Sequence, residues 1–158
     1  MEDITFVNNI DIYENMNIIH FIRDVGVKFR MSSLLSRDSV KSRLNSESGM
    51  SFTEFSYQLF QAYDFYHLYK NHDCSFQIGG SDQWGNIASG IDFISTNSQS
   101  ASNSSHNKRS GDQLGAFGVT VNLLTDSNGD KLGKSTGNAL MLDPKVNAPY
   151  NFYQFFIN

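Results

Sequence analysis

The sequence predicts an α/β fold, and three features predict it. Cys74-Ser75-Phe76-Gln77-Ile78 reads as a buried strand, Gly79-Gly80-Ser81-Asp82 as a turn, and Trp84, Ile87, Ile91 and Ile94 recur at helical spacing after it. A strand, a glycine turn and a helix in that order open an α/β unit. A second strand is predicted over 117–124, where Phe117, Val119, Val121 and Leu123 alternate. The 158 residues fit one domain, enough to bury about 70% of the unfolded surface.

Ahead of that unit, Ile4-Thr5-Phe6-Val7 is a short β-prone run that Asn8-Asn9 breaks. Ile18, Ile19, Phe21 and Ile22 predict a short helix ending before Gly26. Residues 28–43 carry Lys28, Arg30, Arg37, Lys41 and Arg43 against one acid, Asp38. This is either a solvated face or a patch turned toward phosphates or another subunit. The clearest helix runs from Met50 to Tyr69: Ser51 and Glu54 have capping-box spacing, Met50 and Phe55 that of a hydrophobic staple, and Phe52, Phe55, Leu59, Tyr63 and Tyr66 recur every three or four residues. Residues 95–112 hold seven Ser in 18 positions and no hydrophobic pattern, so they read as a mobile surface insertion. Asp126-Ser127-Asn128-Gly129 is a turn, and Pro149 to Asn158 an aromatic helix with Pro in its first turn.

Composition removes whole classes of function. Hydrophobic residues at 39% and aromatics at 13%, with 13 Phe and 7 Tyr, are too many for a disordered chain. The apolar runs are short, so no membrane span is predicted. One cysteine, Cys74, allows neither an intrachain disulfide nor a cysteine-rich zinc site. A net charge of −4 excludes a wholly basic nucleic-acid module but not a local patch. Met1 is followed by Glu2 and Asp3, so neither a secretory leader nor an organelle presequence is expected at this N-terminus.

Three groups of residues could carry chemistry. Tyr57, Gln61 and Asp64 lie at i, i+4 and i+7, so Gln61 and Asp64 fall within about 40° of Tyr57 around the helix. A hydroxyl, an amide and a carboxylate on one stripe can hold a small ligand, or can simply form a wet helix edge. Gly79-Gly80-Ser81-Asp82-Gln83 sits where a strand meets a helix. There open α/β sheets bind ligands, and an acid can accept from ribose hydroxyls; the alternative is a plain turn capped by Asp82. Lys131 and Lys134, with Ser135, could bring two charges to phosphates. They are not a P-loop, because Gly129 and Gly133 are too close together and no helix pattern follows Ser135. His20, His67, His72 and His106 form no metal-binding pair, and no Ser/His/Asp set is visible.

Taken together, the strings F-S-Y-Q-L-F-Q-A-Y-D-F (55–65), Q-I-G-G-S-D-Q-W-G-N-I (77–87) and K-L-G-K-S (131–135) resemble tyrosyl-tRNA synthetases of the bacterial and mitochondrial type. F-I-R-D-V-G (21–26), S-V-K-S-R-L (39–44), P-Y (149–150) and F-Y-Q-F-F (152–156) are similar to that family too. The resemblance covers nearly the whole chain apart from 95–112. It implies a class I aminoacyl-tRNA synthetase that makes tyrosyl-adenylate from L-tyrosine and ATP, with Mg2+, and passes tyrosine to tRNA(Tyr). By matched position, Tyr57 and Gln61 would contact the amino group of tyrosine, and Asp64 would accept from its phenol hydroxyl. Gln83 would lie by the reacting carboxylate, and Gly80 and Asp82 would hold the adenylate ribose. Lys131, Lys134 and Ser135 would form the K-M-S-K-S signature loop that steadies the departing pyrophosphate, with Leu-Gly where that name has Met-Ser.

The resemblance also has gaps. The family's His-x-Gly-His or His-x-Gly-Asn signature is absent, since His20 is followed by Phe21-Ile22. The first-half strands and the anticodon-binding region are missing as well. The implied fold is therefore the second half of a class I synthetase Rossmann-type nucleotide-binding domain, at 51–158, preceded by a helical connecting segment at 1–50 that is dimer-interface-like in the family. The chain reads as a fragment, inactive alone, of a homodimeric parent. The 95–112 insertion and the L-G-K-S-T-G-N-A run favour a mitochondrial (matrix) member over a bacterial, cytoplasmic one. Two competing identities are a tryptophanyl-tRNA synthetase fragment, which the 57/61/64 stripe and GGSDQWG argue against, and a catalytically dead truncated interaction module.

Overall fold

The computed structural model describes residues 4–102, 115–125, 132 and 140–157. They fall into two compact units, 1–121 and 122–158. The first unit opens on short helices, α1 (Asn9–Tyr13), α2 (Ile18–Asp24), α3 (Met31–Leu35) and α4 (Asp38–Leu44). Two long helices follow, α5 (Phe52–His72) and α6 (Trp84–Ser102), with strand β1 (Phe76–Gly80) between them and β2 (Phe117–Val121) after them.

Polar side chains start these helices. Asn8 and Asn17 accept from the amides of Ile10 and Ile19 at the heads of α1 and α2. Ser51 Oγ accepts from the Glu54 amide at 3.1 Å, as the capping box predicts. Asp73 ends α5 in the left-handed conformation, with its amide on the Leu68 carbonyl. The 4–7 run is not a strand but exposed irregular chain leading into α1, because the two Asn that break the apolar pattern also start a helix.

The core lies where α2 and α6 meet one side of α5. Phe21, Val25 and Phe93 are buried there, and Tyr13, Phe29, Leu59, Phe60, Tyr63 and Tyr66 pack around them. Phe21 stacks on Phe60 at 4.8 Å, and Phe29 on Phe93 at 5.4 Å. A second face of α5, with Gln58, Ala62 and Phe65 buried, faces α6. That face was not legible as apolar, because one of its buried positions is the polar Gln58. Phe52, at the head of the predicted stripe, is exposed instead.

Strands β1 and β2 pair in parallel, Phe76 with Phe117 through Gly80 with Val121, and α6 lies in the crossover between them. The predicted buried strand is corrected here. Phe76, Ile78, Phe117, Val119 and Val121 are exposed, Ile78 at 68%, while the alternate positions turn to α6. A Cβ on Gly118 would lie 2.3 Å from Ile87 Cγ2, and one on Gly79 3.1 Å from Ile87 Cδ1. The helix therefore sits down on glycine backbone rather than on the large side chains, and Ile87 is 0% exposed. The glycines 79 and 80, read as a turn, belong to the strand, and the turn is the 3-10 segment Ser81–Gln83.

Residues 95–102, expected to be part of a mobile insertion, are helical. Thr96 and Ser98 hydroxyls and the Asn97 amide donate to the carbonyls of Asp92, Ile94 and Phe93, each four residues back. Polar residues thus continue α6 with no apolar periodicity. The rest of that segment, the 126–129 turn and the 131, 134 and 135 positions lie outside the described residues.

In the second unit, the Leu132 amide donates to the Leu124 carbonyl at 3.1 Å, and Asn147 Oδ1 accepts from the Met141 amide at 2.9 Å. Helix α7 (Pro149–Ile157) starts on Pro149, as predicted.

The glycine seat of α6 is testable. Gly118→Ala is expected to lower stability by about 1–3 kcal/mol, the usual cost of an overpacked core, read from the urea midpoint. Gly26→Ala, whose added carbon would meet Ile22 at an ordinary 3.8 Å, should cost far less.

Candidate functional site

Helix α5 carries Tyr57, Gln61 and Asp64 along one face, and each meets a different environment. Tyr57 is 64% exposed. Gln61 and Asp64 are half-buried. Asn86, on the first turns of α6, donates its Nδ2 to Gln61 Oε1 at 3.0 Å and to Gln83 Oε1 at 3.3 Å. Gln83 Nε2 in turn donates to Asp82 Oδ2 at 3.4 Å. A chain of polar side chains, Gln61–Asn86–Gln83–Asp82, thus runs from the middle of α5 to the end of β1. It joins two of the three predicted groups, and the glycine pair 79–80 lies beside it in β1.

Two features make this arrangement possible. The α5–α6 contact closes over Gly90, where a Cβ would lie 2.8 Å from Phe65 Cδ1. Gly79 has Gln83 Cβ only 3.0 Å from where its own Cβ would be, so any side chain at 79 would push the 81–83 turn away.

Asp64 is held at both oxygens. Tyr13 Oη donates to Oδ1 and Asn9 Nδ2 to Oδ2, both at 2.5 Å and both from α1. Burial pushes the Asp64 carboxyl above the ordinary aspartate range. The hydrogen bonds from Tyr13 and Asn9, and the charge of His67, pull the other way without cancelling it. Burial, and then the Asp64 carboxylate, push the Tyr13 phenol well up, so it stays a protonated donor. Asn86, Asn9 and Tyr13 were missed as site residues. Asn86 stood in the W-G-N string without a role, and no local spacing links 9 and 13 to 64.

The basic stretch 28–43 is not one free patch. Arg37 turns inward and donates to Gln58 Oε1 at 3.1 Å, to the Gly85 carbonyl at 2.7 Å and to Ser89 Oγ. Arg43 pairs with Glu54 at 2.6 Å. The described residues include no group of three His, Cys, Asp or Glu that could hold a metal ion, and no helix long and apolar enough to cross a membrane.

Comparison with known proteins supplies a context for these residues. The family model "tRNA synthetases class I (W and Y)" matches residues 1–158. The chain is 51% identical over 156 residues to the tyrosine–tRNA ligase of Mesoplasma florum, covering 99% of this chain and 35% of that protein. It is 47% identical over 154 residues to tyrosine–tRNA ligase 1 of Bacillus cereus, covering 98% and 33%. It superposes with a TM-score of 0.75 and 34% identity on a C-terminally truncated mitochondrial tyrosyl-tRNA synthetase from Coccidioides posadasii, covering 94% of this chain and 40% of that one. The chain therefore spans about a third of the length of the curated relatives it matches.

The Asp64 environment sets a pH dependence. A carboxyl whose folded-state pKa is raised keeps its proton longer in the native chain than in the unfolded one. Its contribution is then present below the ordinary aspartate range and is lost as pH rises through the raised value. Asp64→Asn is expected to gain stability relative to the parent chain as pH rises from about 3 to about 7, measured as the difference in urea midpoints. A difference that stays flat with pH would show that the two donors fully offset burial.

Proposed function

The chain belongs to the class I tRNA synthetases of the tryptophan and tyrosine group, and on that premise we propose that it supplies the tyrosine-activating part of a tyrosine–tRNA ligase. The observation that carries this reading is the polar chain from Gln61 through Asn86 and Gln83 to Asp82, beside Asp64 on the same helix face. It links a place for an amino acid to a place for a ribose. The relatives near 50% identity are named for tyrosine, which favours this substrate over tryptophan.

In this reading Asp64 accepts from the phenol hydroxyl of L-tyrosine. Phenylalanine would leave an acceptor position of that half-buried carboxylate without its partner, which is the source of selection. Tyr57 and Gln61 take the amino group, and Gln83 steadies the carboxylate. That carboxylate attacks the α-phosphate of ATP and pyrophosphate leaves, so no nucleophilic side chain is needed. Gly80 and Asp82 hold the adenylate ribose, and Lys131, Lys134 and Ser135 offset charge on the departing pyrophosphate. The terminal ribose hydroxyl of tRNA(Tyr) then takes the tyrosyl group and AMP leaves. Catalysis rests on orientation and charge stabilisation. The Mg2+ expected with ATP would be carried on the nucleotide phosphates, as is usual for that ion.

Residues 1–50 serve in this reading as the connecting segment and 51–158 as the second half of the nucleotide-binding domain. The exposed apolar face of β1 and β2 supports it, because parallel sheets are covered on both faces; the remainder of the domain would lie there. A homodimeric parent fits the same reading. The compartment follows from the bacterial-type relationship: the mitochondrial matrix in a eukaryote, the cytoplasm in a bacterium.

The test replaces the matching third of the Mesoplasma florum ligase with residues 1–158 and measures tyrosine-dependent pyrophosphate exchange. The chimera is expected to exchange with tyrosine and not with tryptophan, and residues 1–158 alone to show no exchange. A folded chimera that binds ATP but exchanges with no tyrosine would overturn the proposal.

A further inference from the structure

Tyr13 reaches Asp64 from α1. Its ring packs edge-on against the stacked pair of Phe60, at 5.3 Å, and Phe21, at 6.1 Å. That packing aims the hydroxyl across one turn of α5, with the Phe60 carbonyl 3.0 Å away and Asp64 Oδ1 2.5 Å away. A phenol has one proton to give. The shorter, charge-assisted contact to the carboxylate takes it, and the ring packing holds the oxygen over that turn.

A carboxylate has about four acceptor positions on its two oxygens. Tyr13 and Asn9 fill one on each, which leaves one on each for a ligand. Both donors come from α1, so the carboxylate is anchored from outside its own helix and cannot swing freely about its side-chain torsions. The charged and titratable groups recorded against it are Tyr13 from α1 and His67 one turn further along α5.

We infer that Tyr13 is a positioning residue for amino-acid selection: its hydroxyl fixes the Asp64 carboxylate so that the remaining acceptor positions meet the phenol of an incoming tyrosine. The inference rests on the reading of Asp64 as the phenol acceptor. Tyr13 does not touch the substrate; it acts through Asp64. A ring without the hydroxyl would keep the aromatic packing and lose the aim.

Two measurements test it. The first uses residues 1–158 and follows the Asp64 carboxyl carbon by NMR across pH, in the parent chain, in Tyr13→Phe, and in a chain carrying 3-fluorotyrosine at position 13. Tyr13→Phe is expected to move the Asp64 midpoint to higher pH, and the fluorinated phenol, a stronger donor, to lower pH. Unchanged midpoints, with α5 amide signals in place, would overturn the contact. The second uses the chimera. Tyr13→Phe is expected to reduce the preference for tyrosine over phenylalanine about tenfold, the worth of one hydrogen bond to a charged group. The loss should fall on KM for tyrosine, leave KM for ATP unchanged, and be restored by 3-fluorotyrosine. An unchanged preference in an active chimera overturns the inference alone. A parent chimera that does not exchange with tyrosine removes the reading beneath it, whatever the NMR result.

Discussion

The close approach of α5 to α6 is the constraint on which the rest of this chain depends. Phe65, 1% exposed, lies against Gly90, and Ala62 and Ile87 close the same seam. A single added carbon at position 90 would lie 2.8 Å from the Phe65 ring, so the spacing is set by the absence of a side chain. That spacing puts Asn86 within hydrogen-bond reach of Gln61. If α6 were pushed away, the amide on α5 and the turn after β1 would become two unrelated surfaces.

The seam is also held by charge. The guanidinium of Arg37 reaches from just before α4 to acceptors on both long helices, Gln58 on α5 and Gly85 and Ser89 on α6. Burial lowers its pKa, opposed by Asp92, yet an arginine stays protonated in any protein setting. Gln58 and Ser89 are buried polar groups, and without Arg37 each would lose a hydrogen-bond partner. This half-buried cation, bonded to both long helices, ties their spacing together.

The sheet explains how a helix can sit so close. Its α6 side presents Gly79 and Gly118, and its large side chains point the other way. Small residues toward the helix give a short helix–sheet distance, and that distance brings the 81–83 turn and the head of α6 next to α5. The same choice leaves Phe76, Ile78, Phe117, Val119 and Val121 on a face that, on the proposed reading, other parts of a doubly wound sheet would cover.

Local signals were legible wherever the physics is local. Ser51 capping α5, Pro149 opening α7, the strand–turn–helix order and the strand within the alternating 117–124, which ends at Val121, all follow from residue type and spacing, and so does the shared face of Tyr57, Gln61 and Asp64. What failed was a statement about which side of an element is covered: the run Cys74–Ile78 read as a buried strand, and the described chain leaves Phe76 and Ile78 exposed. The polar tail of α6 failed for a related reason, since its side chains bond back to the helix carbonyls and show no apolar stripe. The sequence by itself determined the long helix α5 and its stripe, the strand–turn–helix order and the family. The fold alone decided that Asn86 bridges Gln61 to Gln83, that Arg37 faces inward, and that Asn9 and Tyr13 grip Asp64 across more than 50 positions of chain. Spacing along a helix or strand reports neighbours a few residues away, whereas these contacts are set by where two helices meet.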